Sequence, residues 1–131
     1  MRVFVNLDYI KHNVNTIRNY TSKDVIAVVK SNAYGLGVKR IVKTLLETNV
    51  DYFFFNKLSE YLEVKELLQS SNVIIFESLS LESIEKHYTC NLILTINNYH
   101  DLLVYEQSNK KIRVHIQVDT GMNRIGIRSI E

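Results

Sequence analysis

Apolar runs alternate with amphipathic stretches along the whole chain. Val25-Ile26-Ala27-Val28-Val29 is continuous and mostly β-branched, which predicts a strand buried on both faces, as in a parallel sheet. Further strands are predicted over residues 52–55, 72–76, 92–96 and 112–118. In the last of these, Val114, Ile116 and Val118 alternate with Arg113, His115 and Gln117, so one face meets packed side chains and the other something polar. Helical spacing fills the gaps. Ile41, Val42, Leu45 and Leu46 mark the inner face of a helix over about residues 38–48, and another helix is expected over 58–68. Leu81, Ile84 and Tyr88 make a short stripe. Tyr99, Leu102, Leu103 and Glu106 suit a helix capped near Asn97 or Asn98. Ahead of the first strong strand, Asp8 is placed to cap a helix with the stripe Ile10, Val14 and Ile17, and Val3-Phe4-Val5 is a short strand candidate. Residues 119–131 read as a loop entering a helix.

Strand starts recur at about every 20–27 residues, the length of a βα unit with a right-handed crossover. Two α/β architectures fit. One is a complete five-stranded doubly wound sheet; the other is the first five βα units of an eight-stranded TIM-type barrel of about 250 residues. A phosphorylated receiver would need an acid at the end of the third strand, and Glu77 is a poor stand-in for aspartate there.

Composition narrows the function classes. The 131 residues contain no proline and show no linker, so no internal domain boundary is predicted. A formal net charge of +2 with scattered basic residues leaves no nucleic-acid footprint. No apolar run is long enough to span a membrane, and the amino-terminal residues lack the apolar core of a signal peptide, so a cytoplasmic location is expected. The single cysteine, Cys90, forms no internal disulfide and reads as a small buried apolar residue. His12, His87 and His100 have no acidic or cysteine partners at metal-ligand spacing, so no metal is assigned.

The chemistry gathers at the end of the first strong strand. Lys30 stands where that strand emerges, at the carboxyl edge at which α/β folds place reacting groups. An amine partly desolvated there has a lowered pKa and is freed as a nucleophile for a Schiff base. Gly35 and Gly37 allow close backbone approach and offer N–H groups as a seat for phosphate at the start of the next helix, although two glycines there more often serve as turn punctuation.

The string over residues 27–37, Ala-Val-Val-Lys-Ser-Asn-Ala-Tyr-Gly-Leu-Gly, resembles the pyridoxal-phosphate (PLP) lysine motif of alanine racemases, A-V-V-K-x-N-A-Y-G-x-G, at every fixed residue. A second string, Val114-His115-Ile116-Gln117-Val118-Asp119-Thr120-Gly121-Met122-Asn123-Arg124-Ile125-Gly126, resembles that family's V-H-x-K-x-D-T-G-M-x-R-x-G. The two lie in the family's order and separation. Ser59-Glu60-Tyr61-Leu62 falls where the family carries a Glu-Ala pair opening a helix.

The resemblance selects the barrel reading. It implies the N-terminal part of a PLP-binding (β/α)8 barrel over residues 1–131, truncated before a C-terminal β domain, in an enzyme that works as a homodimer. It also implies that Val3 to Val5 form a strand packing with that absent domain. The implied activity is interconversion of L- and D-alanine for peptidoglycan precursors of the cell wall. Within that picture Lys30 carries PLP and is one of two bases, Tyr34 hydrogen-bonds the cofactor phosphate, and Arg124 contacts the PLP phenolic oxygen and the substrate carboxylate. A planar, permanently charged guanidinium suits those anionic oxygens. His115 reads as a hydrogen-bonded residue within the sheet, Asp119 and Thr120 as turn-shaping residues, and Met122 as packing.

Three departures qualify the match. Gln117 stands where many of the family carry a carbamylated lysine whose charge orients the arginine. Phe53, Phe54 and Phe55 are bulkier than the family's second strand. The tyrosine base of the opposite face and the arginine facing the pyridine nitrogen fall outside these residues. The alternatives are a racemase of serine or another amino acid, a non-catalytic PLP-binding barrel, and an inactive truncated product.

Overall fold

The computed structural model describes residues 3–128. Helix α1 (Leu7–Thr21) is capped by Asn6, whose side chain accepts from the Asp8 backbone N–H at 2.9 Å, so Asp8 lies inside the first turn and is not the cap. Its carboxylate there faces the positive end of the helix dipole. Val14 is buried, but Ile17 is half exposed and leaves the predicted stripe. Strand β1 (Ile26–Val28) leads to one helical turn, α2 (Lys30–Tyr34), and then to α3 (Val38–Leu46), which buries Val38, Ile41, Val42 and Leu45 on one face. Arg18 ties α1 to the end of α3 by donating to the carbonyls of Thr48 and Asn49.

The remaining units repeat the plan. They run β2 (Tyr52–Phe55), α4 (Leu58–Leu62), a 3-10 turn (Lys65–Leu67), β3 (Asn72–Ile75), α5 (Leu81–His87), β4 (Leu92–Ile96), α6 (Tyr99–Ser108) and β5 (Arg113–Ile116). The five strands form one parallel sheet in the order β1-β2-β3-β4-β5. Strand order equal to chain order, with every crossover on one face, is the wall of a βα barrel and not a doubly wound sheet.

Register separates the two faces. Ala27, Phe53, Val73 and Leu92 stand level across four strands and are all buried beneath the helices. Val28, Phe54, Ile74, Ile93 and Arg113 stand level on the opposite, inner face. The helix-covered face carries the core. Fully burying side chains such as Phe53, Phe55 and Ile75 contributes about 1.5–3 kcal/mol each. The inner face is covered only at its centre: Ile74 and Ile93 are buried, whereas Ile26 and Val28 at one end are 50% and 45% exposed.

Several expectations are corrected here. Residues 3–5 form no strand; no neighbouring strand lies beside them among the described residues, and Phe4 is exposed. The helix expected over 58–68 ends after Leu62 and tightens into the 3-10 turn. Leu58, Tyr61 and Val64 are buried at a spacing of three, which suits the three-residue repeat of a 3-10 turn. Tyr88 caps α5 from outside the helix, beneath the Lys110 ammonium at 4.6 Å from its ring. After β5 no helix begins within the described residues. The chain instead turns back so that Val118 bridges Ile127 in a parallel bridge, and residues 129–131 lie outside the description. Cys90 is half-buried and packs against the core.

Candidate functional site

The sheet hands Lys30 over in a defined direction. The Val29 N–H donates to the Phe54 carbonyl at 3.0 Å, so the chain is still in the ladder one residue before the lysine. Continuing the strand alternation sets Lys30 on the inner face at the level of Asn56, Phe76, Thr95 and His115, and the last two are paired across β4 and β5. Lys30 is half-buried there.

The next four residues are wound left-handed. Ser31, Asn32, Ala33 and Tyr34 have φ of 54°, 54°, 53° and 55°. For L-residues other than asparagine that region costs about 1–2 kcal/mol per residue, so the turn stores strain directly beside the lysine. It carries hydrogen bonds of its own: Ala33 N–H donates to the Val29 carbonyl and Gly35 N–H to the Ser31 and Asn32 carbonyls. Gly35, at φ 83°, ends the turn at no steric cost. Two side chains fix it from outside. Asn32 Oδ1 accepts from the Val38 N–H at 2.8 Å and starts α3, and Glu60 Oε1 accepts from the Ser31 N–H at 2.7 Å. Tyr34 is 64% exposed at the end of the turn.

This geometry corrects the phosphate reading of the glycines. The N–H groups of Gly35, Gly37 and Val38 are all used by the turn itself, through Ser31, Asn32 and the Asn32 side chain, so they do not face a ligand. Gly35 and Gly37 shape the backbone, and the space beside each is open.

Arg124 occupies a second loop at the same edge. Asp119 Oδ1 accepts from the Gly121 and Asn123 N–H groups at 3.0 and 2.9 Å, and Oδ2 pairs with Arg128 at 3.2 Å. Those two N–H groups, helped by Arg128, hold the Asp119 carboxyl below the usual carboxylate range. Arg124 is exposed and, with Gln117, Phe76, Thr120 and Met122, lines a cavity of about 160 Å3. Neither the Gln117 side-chain amide nor the Arg124 guanidinium has a hydrogen-bond partner among the described residues. Met122 is 76% exposed, so it is a cavity rim and not the packing residue expected. His115 is exposed on the inner face and makes no side-chain hydrogen bond among the described residues, contrary to the expected sheet bond.

Lys30 does not line this cavity. It follows β1 and Arg124 follows β5, the two outer strands of the sheet, so the structure sets them on one edge without bringing them together. An amine, a phenol and a guanidinium on that edge, beside an inner face uncovered at Ile26 and Val28, fit an anionic aldehyde cofactor in chemistry and in room.

Sequence reasoning gave no role to the carboxylates that lace this edge. Glu60 Oε2 accepts from the Asn56 and Lys57 N–H groups at 3.0 and 3.1 Å, Glu77 Oε1 from Leu58 at 2.6 Å, and Asp101 Oδ2 from Asn97 at 2.8 Å. Glu60 and Asp101 each stand three residues past a helix cap, and that spacing is the signal that was available. Asn97 is buried, donates to the Phe76 carbonyl, and leaves Oδ1 without a partner among the described residues.

A family model described as alanine racemase, N-terminal domain, matches residues 5–131. Alanine racemase 1 of Caldanaerobacter subterraneus subsp. tengcongensis is 36% identical over 131 residues, covering 95% of this chain and 34% of the relative. Among solved structures, the biosynthetic alanine racemase from Pseudomonas aeruginosa superimposes with a TM-score of 0.87 at 26% identity, over 95% of this chain and 36% of that one. The alanine racemase from Bacillus anthracis with bound L-Ala-P gives 0.84 at 26% identity, over 95% and 34%. The chain spans about a third of the length of the relatives it matches.

Proposed function

The chain belongs to the alanine racemase N-terminal domain family, and from that premise we propose that it supplies the PLP-bearing part of an amino-acid racemase acting on alanine. The observation that carries the reading is Lys30, held half-buried at the carboxyl end of β1 between a sheet hydrogen bond on one side and a strained turn on the other. We assign residues 1–131 as one domain, the first five βα units of the barrel wall. The alanine substrate, the homodimer and the role in cell-wall precursor synthesis belong to the same proposal.

Lys30 would hold the cofactor, with the Tyr34 hydroxyl donating to its phosphate and Arg124 facing its phenolic oxygen and the substrate carboxylate. PLP, when bound, supplies the electron sink that makes the substrate Cα acidic. The protein's part is position and proton transfer. Lys30 Nζ takes or gives the Cα proton on one face. Racemisation also needs a proton group on the other face, within hydrogen-bond reach of the same carbon. Tyr34 is taken up by the phosphate, so that second group is assigned to the protein beyond these residues. Gln117 is neutral where a charged group would orient Arg124, and it offers the guanidinium an amide oxygen instead.

The test is covalent mapping. With PLP added and borohydride as reductant, peptide analysis should find a pyridoxyl group on Lys30. A label on another lysine, or none, would sink the reading. Residues 1–131 alone should not exchange the alanine Cα proton with inversion; racemisation by this chain by itself overturns the assignment of the second group.

A further inference from the structure

The left-handed turn poses a question that its own hydrogen bonds do not answer. The bonds from Ala33 to Val29 and from Gly35 to Ser31 span four residues, a spacing that a right-handed turn satisfies equally well. Burial contributes little, since Ser31, Asn32 and Tyr34 are exposed and only Ala33 is covered. Handedness must therefore be imposed from outside the turn. Asn32 acts forward, toward α3. Glu60 is the tie that reaches across from another βα unit, 29 residues away in sequence.

The Glu60 carboxylate is itself fixed. One oxygen receives the Asn56 and Lys57 N–H groups at the end of β2 and start of α4, and the other receives Ser31. Three backbone donors on one ionised group make charge-assisted bonds, roughly twice as strong as neutral ones. Lys30 thus lies between two anchored amides, Val29 on the sheet and Ser31 on Glu60.

We propose that Glu60 is a positioning residue: it holds the Lys30–Tyr34 turn in its left-handed form and so sets where the Lys30 amine stands. The cofactor arm of this inference rests on the PLP reading above. Glu60 never meets the reacting atoms and acts through Ser31.

The experiment uses the native polypeptide and two variants. Glu60→Gln keeps the shape but presents an amide NH2 to one of the two donor sets. Glu60→Asp keeps the charge and the α4 cap but is a methylene too short to span both loops, and it decides the matter if Glu60→Gln fails to fold. Without PLP, amide hydrogen exchange in peptides covering residues 31–37 should quicken at least tenfold, while peptides covering β3 and β4 keep their rates. At sub-saturating PLP, borohydride labelling of Lys30 should fall at least tenfold. Ser80→Ala, which removes the cap that accepts the Ser83 N–H of α5, is the control and should move neither readout. Unchanged exchange at 31–37, quickening spread evenly over the sheet, or Lys30 labelling equal to wild type each overturns the positioning role. A wild-type protein that takes no label at Lys30 overturns the cofactor reading instead, and the exchange result then still stands or falls by itself.

Discussion

Two loops at the carboxyl edge of one sheet are held by opposite means. The loop after β1 is strained in its backbone and kept in place by side chains from elsewhere, Glu60 across the sheet and Asn32 toward α3. The loop after β5 is held by itself. Asp119 gathers the N–H groups of Gly121 and Asn123, Arg128 closes on the same carboxylate, and the chain returns to bridge Val118 with Ile127. The first therefore presents Lys30 half-buried and in a fixed direction, and the second presents Arg124 exposed on a self-contained loop closed by a parallel bridge. A nucleophile that must meet one atom gains from being fixed by the fold.

The sharpest way to break this contrast is at the glycines. A Cβ on Gly126 would come within 2.7 Å of the Asp119 backbone nitrogen, at a φ of +127° that side chains rarely adopt. Gly126→Ala should destabilise the second loop by about 3 kcal/mol, because clash and backbone strain add. At Gly35 nothing lies within 4 Å, so only the strain of φ +83° remains and Gly35→Ala should cost about 1 kcal/mol. Chemical denaturation compares the two. Equal costs would mean that the second loop is not closed on itself as described.

A smaller effect is expected at Asn32. Asn32→Ala removes the acceptor of the part-buried Val38 N–H and replaces a residue that tolerates the left-handed region. The loss should be about 2 kcal/mol, with faster amide exchange at Val38 and Gly35 and no change at Gly121. Exchange that quickens at Gly121 as well would show that the two loops are coupled.

The smallest effect is a pH dependence confined to the second loop. Asp119 has its carboxyl lowered in the folded state by the N–H groups of Asn123 and Gly121, then by Arg128, against an opposing desolvation. A folded value below the unfolded one means the stabilisation is fully present above the ordinary aspartate value of about 3.9 and fades as pH falls through the lowered one. The Gly121 and Asn123 amide signals should therefore shift together below pH ~4. Asp119→Asn should abolish that titration while leaving the amides of residues 31–37 untouched. A shift centred at or above the ordinary value would contradict the lowered carboxyl.

What the chain carried openly was whatever repeats along one dimension. Continuous apolar runs such as Val25 to Val29 announce strands, although β1 is covered on one face only and leaves Ile26 and Val28 half exposed on the other. The stripe of Ile41, Val42 and Leu45 announces α3, and the run around Lys30 carries the likeness to the family whose model matches. Order alone did not settle barrel against doubly wound sheet, because both are built from the same βα repeat; the two motifs selected the barrel, and the strand order β1-β2-β3-β4-β5 bears it out. The left-handed turn left no mark in apolar periodicity, since handedness changes neither which residues are apolar nor how far apart they lie. The tie between Glu60 and Ser31 left none either, because its partners are distant in sequence. Local pattern determined the elements and the residue types at the edge. Tertiary structure decided their hands, anchors and separations, because those depend on hydrogen bonds and register between segments that meet only when the sheet forms.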